Sequence, residues 1–248
     1  MNKPKRTHVE NTARRRIERM IKKVFLRLGY VILPSSDLSN ERIVEYPWTF
    51  GKTAMHEGQI LDVGCSGSDL SATIASQGFK VIGIDVYKKN LLARGHPNFS
   101  FVSCDARWLP FVDRSFDFVV AVSTVEHIGI GYYGDLEDYK GDSKAVKEFL
   151  RVCKKLGKTL VTVPYGKWTV TSMQRTYDGE ALKKLAGGLE AEIQVDYFVK
   201  RNCFWLKSSK ENADQINSSG VRSVACITLM NRLEGLSLRH NDKSTRTM

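Results

Sequence analysis

Gln59-Ile60-Leu61-Asp62-Val63-Gly64-Cys65-Ser66-Gly67-Ser68 is the stretch whose reading decides the fold. Ile60, Leu61 and Val63 make a short, nearly unbroken apolar run of strand length, which Gly64 closes. A helical stretch follows from about Asp69 to Gln77. The chain therefore turns from a buried strand into a helix across two glycines. Glycine lets the backbone turn tightly and approach a ligand, and the helix start offers free N–H groups.

The same alternation continues outward. Lys80-Val81-Ile82-Gly83-Ile84 reads as a second strand ending at Asp85, and Phe99-Ser100-Phe101-Val102 as a third ending near Cys104-Asp105. Phe116 to Val122 is a fourth and the least polar, as expected at the centre of a parallel sheet. Asp142 is expected to cap a helix with apolar face Val146, Phe149, Leu150, Cys153 and Leu156, with Lys154 and Lys155 in its last turn and Gly157 beyond. Thr159 to Val163 follows as a fifth strand, stopped by Pro164. Strands joined by helical crossovers predict an open, doubly wound, mostly parallel α/β sheet with helices on both faces. Two further strands, about Glu192 to Val199 and Val221 to Met230, extend its edge to seven strands, with a polar link from Lys207 to Ser219.

At 248 residues, 42% hydrophobic and 26% charged, the chain suits one sizeable core with decorated ends. Its charge of +11 is uneven: ten basic residues stand among residues 1–30 against only Glu10 and Glu18. Within this arm Ile17, Ile21, Val24, Phe25 and Leu28 recur at helical spacing, describing an amphipathic helix that ends near Gly29. Such an arm suits RNA or another acidic surface, or is simply a solvated helix face. Pro34 to Asp37, then Pro47 and Gly51, read as a short, irregular approach to the core. The expected organisation is a basic arm over residues 1–40, one domain over 41–235 and a frayed tail over 236–248. No run approaches a membrane span and no apolar leader follows Met1, so the expected location is cytoplasmic. Five scattered cysteines without a C-x-x-C pair predict neither disulfides nor a zinc site. Oligomeric state is open at this level.

In an open α/β sheet, ligands bind outside the carboxyl ends of the strands, near the reversal of strand order. Four consecutive strand ends carry suitable groups. Asp85, 21 positions after Gly64, can accept hydrogen bonds from both hydroxyls of a ribose. Asp105 is placed to take the exocyclic amine of a purine, unless it merely forms a turn. Ser123-Thr124-Val125-Glu126-His127 follows the most apolar strand. Phosphate ligands fit less well. No lysine follows Gly67 as a P-loop requires, the dinucleotide pattern G-x-G-x-x-G is not met, and Asp69 would repel a pyrophosphate at the helix start.

These strand ends together resemble the class I S-adenosylmethionine (SAM) dependent methyltransferase family over about residues 58–165. Leu61-Asp62-Val63-Gly64-Cys65 matches its glycine motif, with Ser66 and Ser68 where Gly-x-Gly usually continues. Phe116 to Val119 followed by Val125 to Ile128 resembles its fourth strand and the segment after it. Arg151 to Lys158 resembles its turn before strand five, with Leu156 where proline is common. The resemblance implies a Rossmann-like domain and SAM as cofactor. It implies that Gly64, with Cys65, Ser66, Gly67 and the backbone around Ser123, holds the methionine ammonium, which Asp62 orders. It implies ribose binding by Asp85, adenine packing on Val86, and reading of the adenine edge by Asp105 and the Ala106 N–H.

Methyl transfer from a sulfonium is an in-line displacement in which positioning dominates. A hydroxyl acceptor gains from a general base, and His127 is the candidate because its ordinary pKa is near ~6.5. The Glu126-His127 pair also occurs in some quinone-related methyltransferases that use a divalent metal; here no metal is expected. The Gly129-Ile130-Gly131-Tyr132-Tyr133-Gly134-Asp135 loop is the expected lid, so Tyr132 and Tyr133 are candidate acceptor contacts. Tyr165 and Arg175 are candidates for the opposite wall, with packing as the alternative for Arg175 and Tyr177. Asp178 suits the cap of a helix containing Leu182 and Leu185. The favoured acceptor is a small polar molecule, a sugar or metabolite hydroxyl or amine. The alternatives are RNA bound by the arm, although no base-stacking aromatics are interleaved with it, and a non-catalytic SAM-binding protein.

Overall fold

The computed structural model describes residues 40–53, 57–87, 90–187, 191–202, 204–216 and 222–231. Residues 1–39, which hold the expected amphipathic helix and all but the last residue of the expected basic arm, and the expected tail from residue 236 lie outside the described residues. Every element below belongs to the unit Glu41–Met248.

Among the described residues the sheet has eight strands, in the order β3 (Phe99–Ser103), β2 (Lys80–Asp85), β1 (Gln59–Val63), β4 (Phe116–Val122), β5 (Cys153–Pro164), β10 (Ser223–Asn231), β8 (Ala191–Arg201), β9 (Phe204–Ser208). β1, β2, β3, β4 and β5 run parallel. β10 inserts antiparallel between β5 and β8, and β9 pairs antiparallel on the outside of β8. The expected seven-stranded sheet is corrected to eight, because Phe204 to Ser208, half inside the supposed polar link, forms the edge strand. A separate hairpin pairs β6 (Thr169–Val170) with β7 (Arg175–Thr176).

The buried strands feed both faces. Leu61, Val63, Val119 and Ala121 join the cluster under α3 (Gly141–Val152) and α4 (Gly179–Leu185). Ile60, Phe118, Val120 and Val122 join a second cluster with Leu70 and Ile74 of α2 (Leu70–Ser76). Alternate residues of each strand thus face opposite helical layers, which explains why these strands read as continuous apolar runs.

Three local expectations are corrected. The approach around Pro47 and Gly51 is an 11-residue helix, α1 (Arg42–Lys52), with Pro47 inside it. Proline removes one backbone hydrogen bond. Packing of Tyr46, Trp48 and Phe50 against the second cluster, and a Trp48 Nε1 hydrogen bond of 3.0 Å to Asp196, hold the helix nonetheless. Asp142 does not cap α3, since Lys140 occupies that position; Asp142 is buried in the first turn and accepts from the Tyr177 hydroxyl at 2.9 Å. α3 ends at Val152, and Cys153 to Lys158 are already strand, with Lys154 paired to Asp117 across the β4–β5 ladder at 2.8 Å. Asp178 does cap α4 (the short α5, Lys210–Asp214, follows β9), accepting from the Ala181 N–H at 2.8 Å.

Candidate functional site

The strand order reverses between β1 and β4, so the crevice opens beside the ends of β1, β2 and β4. Gly64 sits there with φ of 77°, and its N–H bonds the Ile84 carbonyl at 2.8 Å, tying the loop to β2. Cys65 is buried, its sulfur against Gly83, so only its backbone faces the crevice loop. Asp85 is the loop's organiser. One oxygen accepts from the Ser66 N–H at 3.1 Å and the other from the Tyr87 N–H at 2.9 Å. Val86 beside it is exposed. Gly67 has φ of 75° and open space around it.

Ser68 explains why a serine suits this loop. Its Oγ accepts from the Leu70 N–H at 3.1 Å and lies 2.9 Å from the Tyr46 hydroxyl. One helix-start donor that a phosphate would use is therefore already spoken for.

Asp62, one residue before the end of β1, is 2% exposed and hydrogen-bonded by Ser71 Oγ at 2.5 Å. Burial pushes its carboxyl up from 3.8 to about 7, against the opposing pull of Ser71. A folded-state value above the unfolded one favours the fold fully below about pH 4, and that contribution is lost as the pH rises through about 7. Asp62→Asn, which keeps the shape and the Ser71 contact, is therefore expected to stabilise the ligand-free protein at pH 8 by about 2–4 kcal/mol. Urea midpoints at pH 8 and pH 4 check this; a gain of equal size at both values contradicts it.

Ser123, just past β4, is a non-glycine residue at φ of 43°, an uncommon conformation concentrated at functional sites. Its N–H bonds Thr162 Oγ1 at 2.9 Å and its hydroxyl donates to Glu45 Oε1 at 2.8 Å. Thr162 Oγ1 donates to the same oxygen at 2.7 Å, and Arg42 pairs with Glu45 Oε2 at 2.5 Å. Glu45 is fully buried, a carboxylate satisfied by three partners. Sequence reading missed Arg42, Glu45 and Tyr46 because Pro47 masked their helix. The signal was the i, i+3, i+4, i+7 spacing of Arg42, Glu45, Tyr46 and Thr49, which puts them on one face.

His127 closes the short 3-10 turn Val125–His127. Its Nδ1 is 2.6 Å from the Met173 carbonyl oxygen, and a carbonyl only accepts. Nδ1 therefore carries the proton, leaving the lone pair on Nε2. Burial lowers its pKa, outweighing the Met173 bond that raises it, so the ring is neutral at pH 7. Glu126 is buried with its carboxyl pushed well up by desolvation, Oε2 unpartnered and Oε1 3.9 Å from Nε2. Tyr133 meets the imidazole edge-on at 5.3 Å, Tyr132 at 4.9 Å and Tyr87 at 6.3 Å, forming an aromatic wall from the Asp85 loop to His127. Tyr132 and Tyr133 are both partly exposed.

Asp105 follows β3 and is gripped by Arg107, with Nε at 3.0 Å from Oδ1 and Nη2 at 2.6 Å from Oδ2. Burial raises its pKa, but the bonds and charge of Arg107 reverse this and hold the carboxyl below its usual value. Ala106 is buried beside it. Tyr165 and Arg175 are both buried. Tyr165 is 2% exposed with its hydroxyl on Asp214, and Arg175 is 3% exposed with Nη1 on the Ile128 carbonyl at 2.7 Å. Both side chains thus make hydrogen bonds within the fold. Among the described residues no three His, Cys, Asp or Glu side chains gather as metal ligands, and no helix is long and apolar enough to cross a membrane.

Residues 61–161 match a family model described as a methyltransferase domain. The ubiquinone biosynthesis O-methyltransferase of Rhizobium johnstonii is 37% identical over 76 residues, covering 28% of this chain and 31% of that protein. The protein of the same name from Bordetella parapertussis is 32% identical over 110 residues, covering 42% and 39%. The chain thus matches about a third of the length of these curated relatives. Among solved structures, the 1,6-didemethyltoxoflavin-N1-methyltransferase of Burkholderia thailandensis, with 1,6-didemethyltoxoflavin and S-adenosylhomocysteine bound, superposes with TM-score 0.57 at 12% identity, covering 94% of both chains. A SAM-dependent methyltransferase of Methanosarcina mazei gives 0.55 at 19% identity, covering 76% of this chain and 99% of its own. The cyclase SpnF gives 0.56 at 16% identity, covering 75% and 79%, so the shared fold by itself does not dictate chemistry.

Proposed function

Residues 61–161 of this chain match the methyltransferase-domain family, and its fold is that of the class I SAM-dependent methyltransferases; from that premise we propose that it transfers a methyl group from SAM to a hydroxyl of a small polar acceptor. The observation that carries the reading is that three adjacent parallel strands, β1, β2 and β3, carry Asp62, Asp85 and Asp105 at or within two residues of their carboxyl ends, with a positive-φ glycine loop after β1. A ligand with an ammonium, a ribose and an adenine amine offers one donor group to each carboxylate. The loop also fits a cofactor without phosphates, because Ser68 Oγ already accepts from the Leu70 N–H at the start of α2 and Asp69, at the N-cap, adds negative charge there.

The bound cofactor supplies an electrophilic methyl on sulfur. The chain supplies the rest. The Gly64 loop and Asp62 would hold the ammonium, with the cation favouring the ionised Asp62 carboxylate, whose proton is released to solvent. Asp85 aligns the ribose, while Asp105 and the Ala106 N–H read the adenine edge over Val86. His127 Nε2 takes the acceptor hydroxyl proton, and Tyr132 and Tyr133 exclude water and orient the acceptor. A small-molecule acceptor is supported by the curated relatives, named O-methyltransferases, and by the Burkholderia enzyme, solved with 1,6-didemethyltoxoflavin bound.

Asp85→Ala is expected to weaken S-adenosylhomocysteine binding about 100-fold, since it removes both the ribose acceptor and the two N–H bonds that shape the loop. Calorimetry reads this, and unchanged affinity contradicts the cofactor assignment. A screen with methyl-labelled SAM against sugars, small phenols and RNA tests the acceptor class. Label on a small-molecule hydroxyl is the expected result; label on RNA alone overturns it.

A further inference from the structure

Arg107 bonds both the carboxylate after β3 and the loop that carries Tyr132 and Tyr133. It is 5% exposed, and its Nε and Nη2 bond the two oxygens of Asp105 at 3.0 and 2.6 Å. Its remaining terminal nitrogen, Nη1, points the other way, donating to the Leu136 carbonyl at 2.8 Å and lying 3.7 Å from Asp138 Oδ2. Leu136 and Asp138 belong to the loop that carries Tyr132 and Tyr133.

That loop is held by polar contacts more than by burial. Leu136 and Tyr139 are 81% and 78% exposed, and Gly129, Gly131 and Gly134 all have positive φ. Most of its hydrogen bonds are local, such as Gly129 N–H to Asp135 and Asp138 N–H to the Gly129 carbonyl. Its polar anchors outside the loop include Arg107, Lys144 on Asp138 at 2.8 Å, the Gly141 N–H on the Asp138 carbonyl at 2.8 Å, and a long Arg175 contact of 3.5 Å to the same carbonyl. Of these, only Arg107 is also bonded to a strand end of the cofactor crevice.

We propose that Arg107 is a positioning residue that couples the cofactor subsite to the acceptor loop, so that filling the adenine subsite at Asp105 tightens the loop bearing Tyr132 and Tyr133. The inference rests on the cofactor reading above and adds a link between its two halves. The direction follows from solvation. Asp105 keeps 29% of its side chain exposed, so water screens the ion pair. An adenine seated on Asp105 displaces that water, and the same charges attract more strongly at lower effective dielectric. A guanidinium gripped more firmly at one end is also fixed in direction at the other, where its planar fork meets Leu136 and Asp138. By reciprocity, an ordered loop raises cofactor affinity by the same factor.

The test measures hydrogen exchange of peptides spanning residues 129–139 in the full chain, with and without saturating S-adenosylhomocysteine, together with its affinity by calorimetry. In the wild type, ligand is expected to slow exchange of the loop about tenfold. In Arg107→Met, which keeps the stem and loses the fork, affinity falls about tenfold and loop exchange no longer responds to ligand. Arg107→Lys keeps a charge beside Asp105 but reaches only one partner, so it restores affinity without restoring the loop response. That split separates coupling from simple loss of structure, and the lysine variant carries the test alone if the methionine variant does not fold. A loop that responds to ligand in either variant as in the wild type overturns the coupling. A wild type that binds ligand with no change in the loop overturns it too and leaves the cofactor reading standing. A wild type that binds no ligand removes both.

Discussion

His127→Ala is expected to lower kcat by about 10²–10⁴-fold while changing S-adenosylhomocysteine affinity less than threefold, on the order of what loss of a general base costs. The asymmetry follows from where the two imidazole nitrogens point. Nδ1 is committed to the Met173 carbonyl at 2.6 Å, so the tautomer is fixed and Nε2 is the basic atom. Among the described residues no hydrogen-bond partner competes for Nε2; Glu126 Oε1 stands 3.9 Å away, and that buried carboxyl favours its neutral form. Burial depresses the His127 pKa below 6.5, so the base is ready at neutral pH. The wild-type kcat should therefore rise with pH through a value below 6.5 and stay level above it, and the alanine variant should lose that rising limb. Unaltered turnover in the variant, or a pH profile shared by both proteins, removes His127 as the base.

The parts of this site that sequence revealed are those whose geometry is local. β1 and β4 fall where the apolar runs end, and the residues that terminate β2 and follow β3, Asp85 and Asp105, are the ones their position suggests. A strand end fixes where the next residue lies, so reading the strand places the candidate group. What stayed hidden depends on long-range pairing. Glu45 meets Thr162 across 117 positions, Nδ1 of His127 meets Met173 across 46, and Arg107 meets Leu136 across 29. No periodicity encodes such partners. Pro47 hid a helix because tertiary burial outweighed a local breaker, and β9 was obscured by a polar segment that begins inside it. Sequence leaves Arg175 between pocket wall and packing, because its nearest partner, the Ile128 carbonyl at 2.7 Å, stands 47 positions away.

Gly64→Ala is the second large effect and the sharpest test of the glycine loop. At φ of 77° an alanine pays on the order of 1 kcal/mol for the left-handed conformation alone. Its Cβ would also stand 2.4 Å from Thr124 Oγ1 and 2.6 Å from Thr124 Cγ2, well inside contact distance. Thr124 is poorly placed to yield, since its hydroxyl lies 3.1 Å from the Val63 carbonyl and 3.0 Å from the Val122 carbonyl, bridging the ends of β1 and β4. The expected total is roughly 3 kcal/mol or more, a fall in Tm of about 10 °C for a domain of this size, with cofactor binding lost because β1 and β4 are forced apart at the crevice. Pairing it with Thr124→Ala separates the two causes. The double variant clears Oγ1 and Cγ2 and should recover the steric part while the left-handed cost persists, so the two changes interact strongly and with opposite sign in a thermal double-mutant cycle. Additive losses would mean that Gly64 is required for its dihedral angle alone, and the close approach of β4 to the loop would then play no part in shaping the crevice.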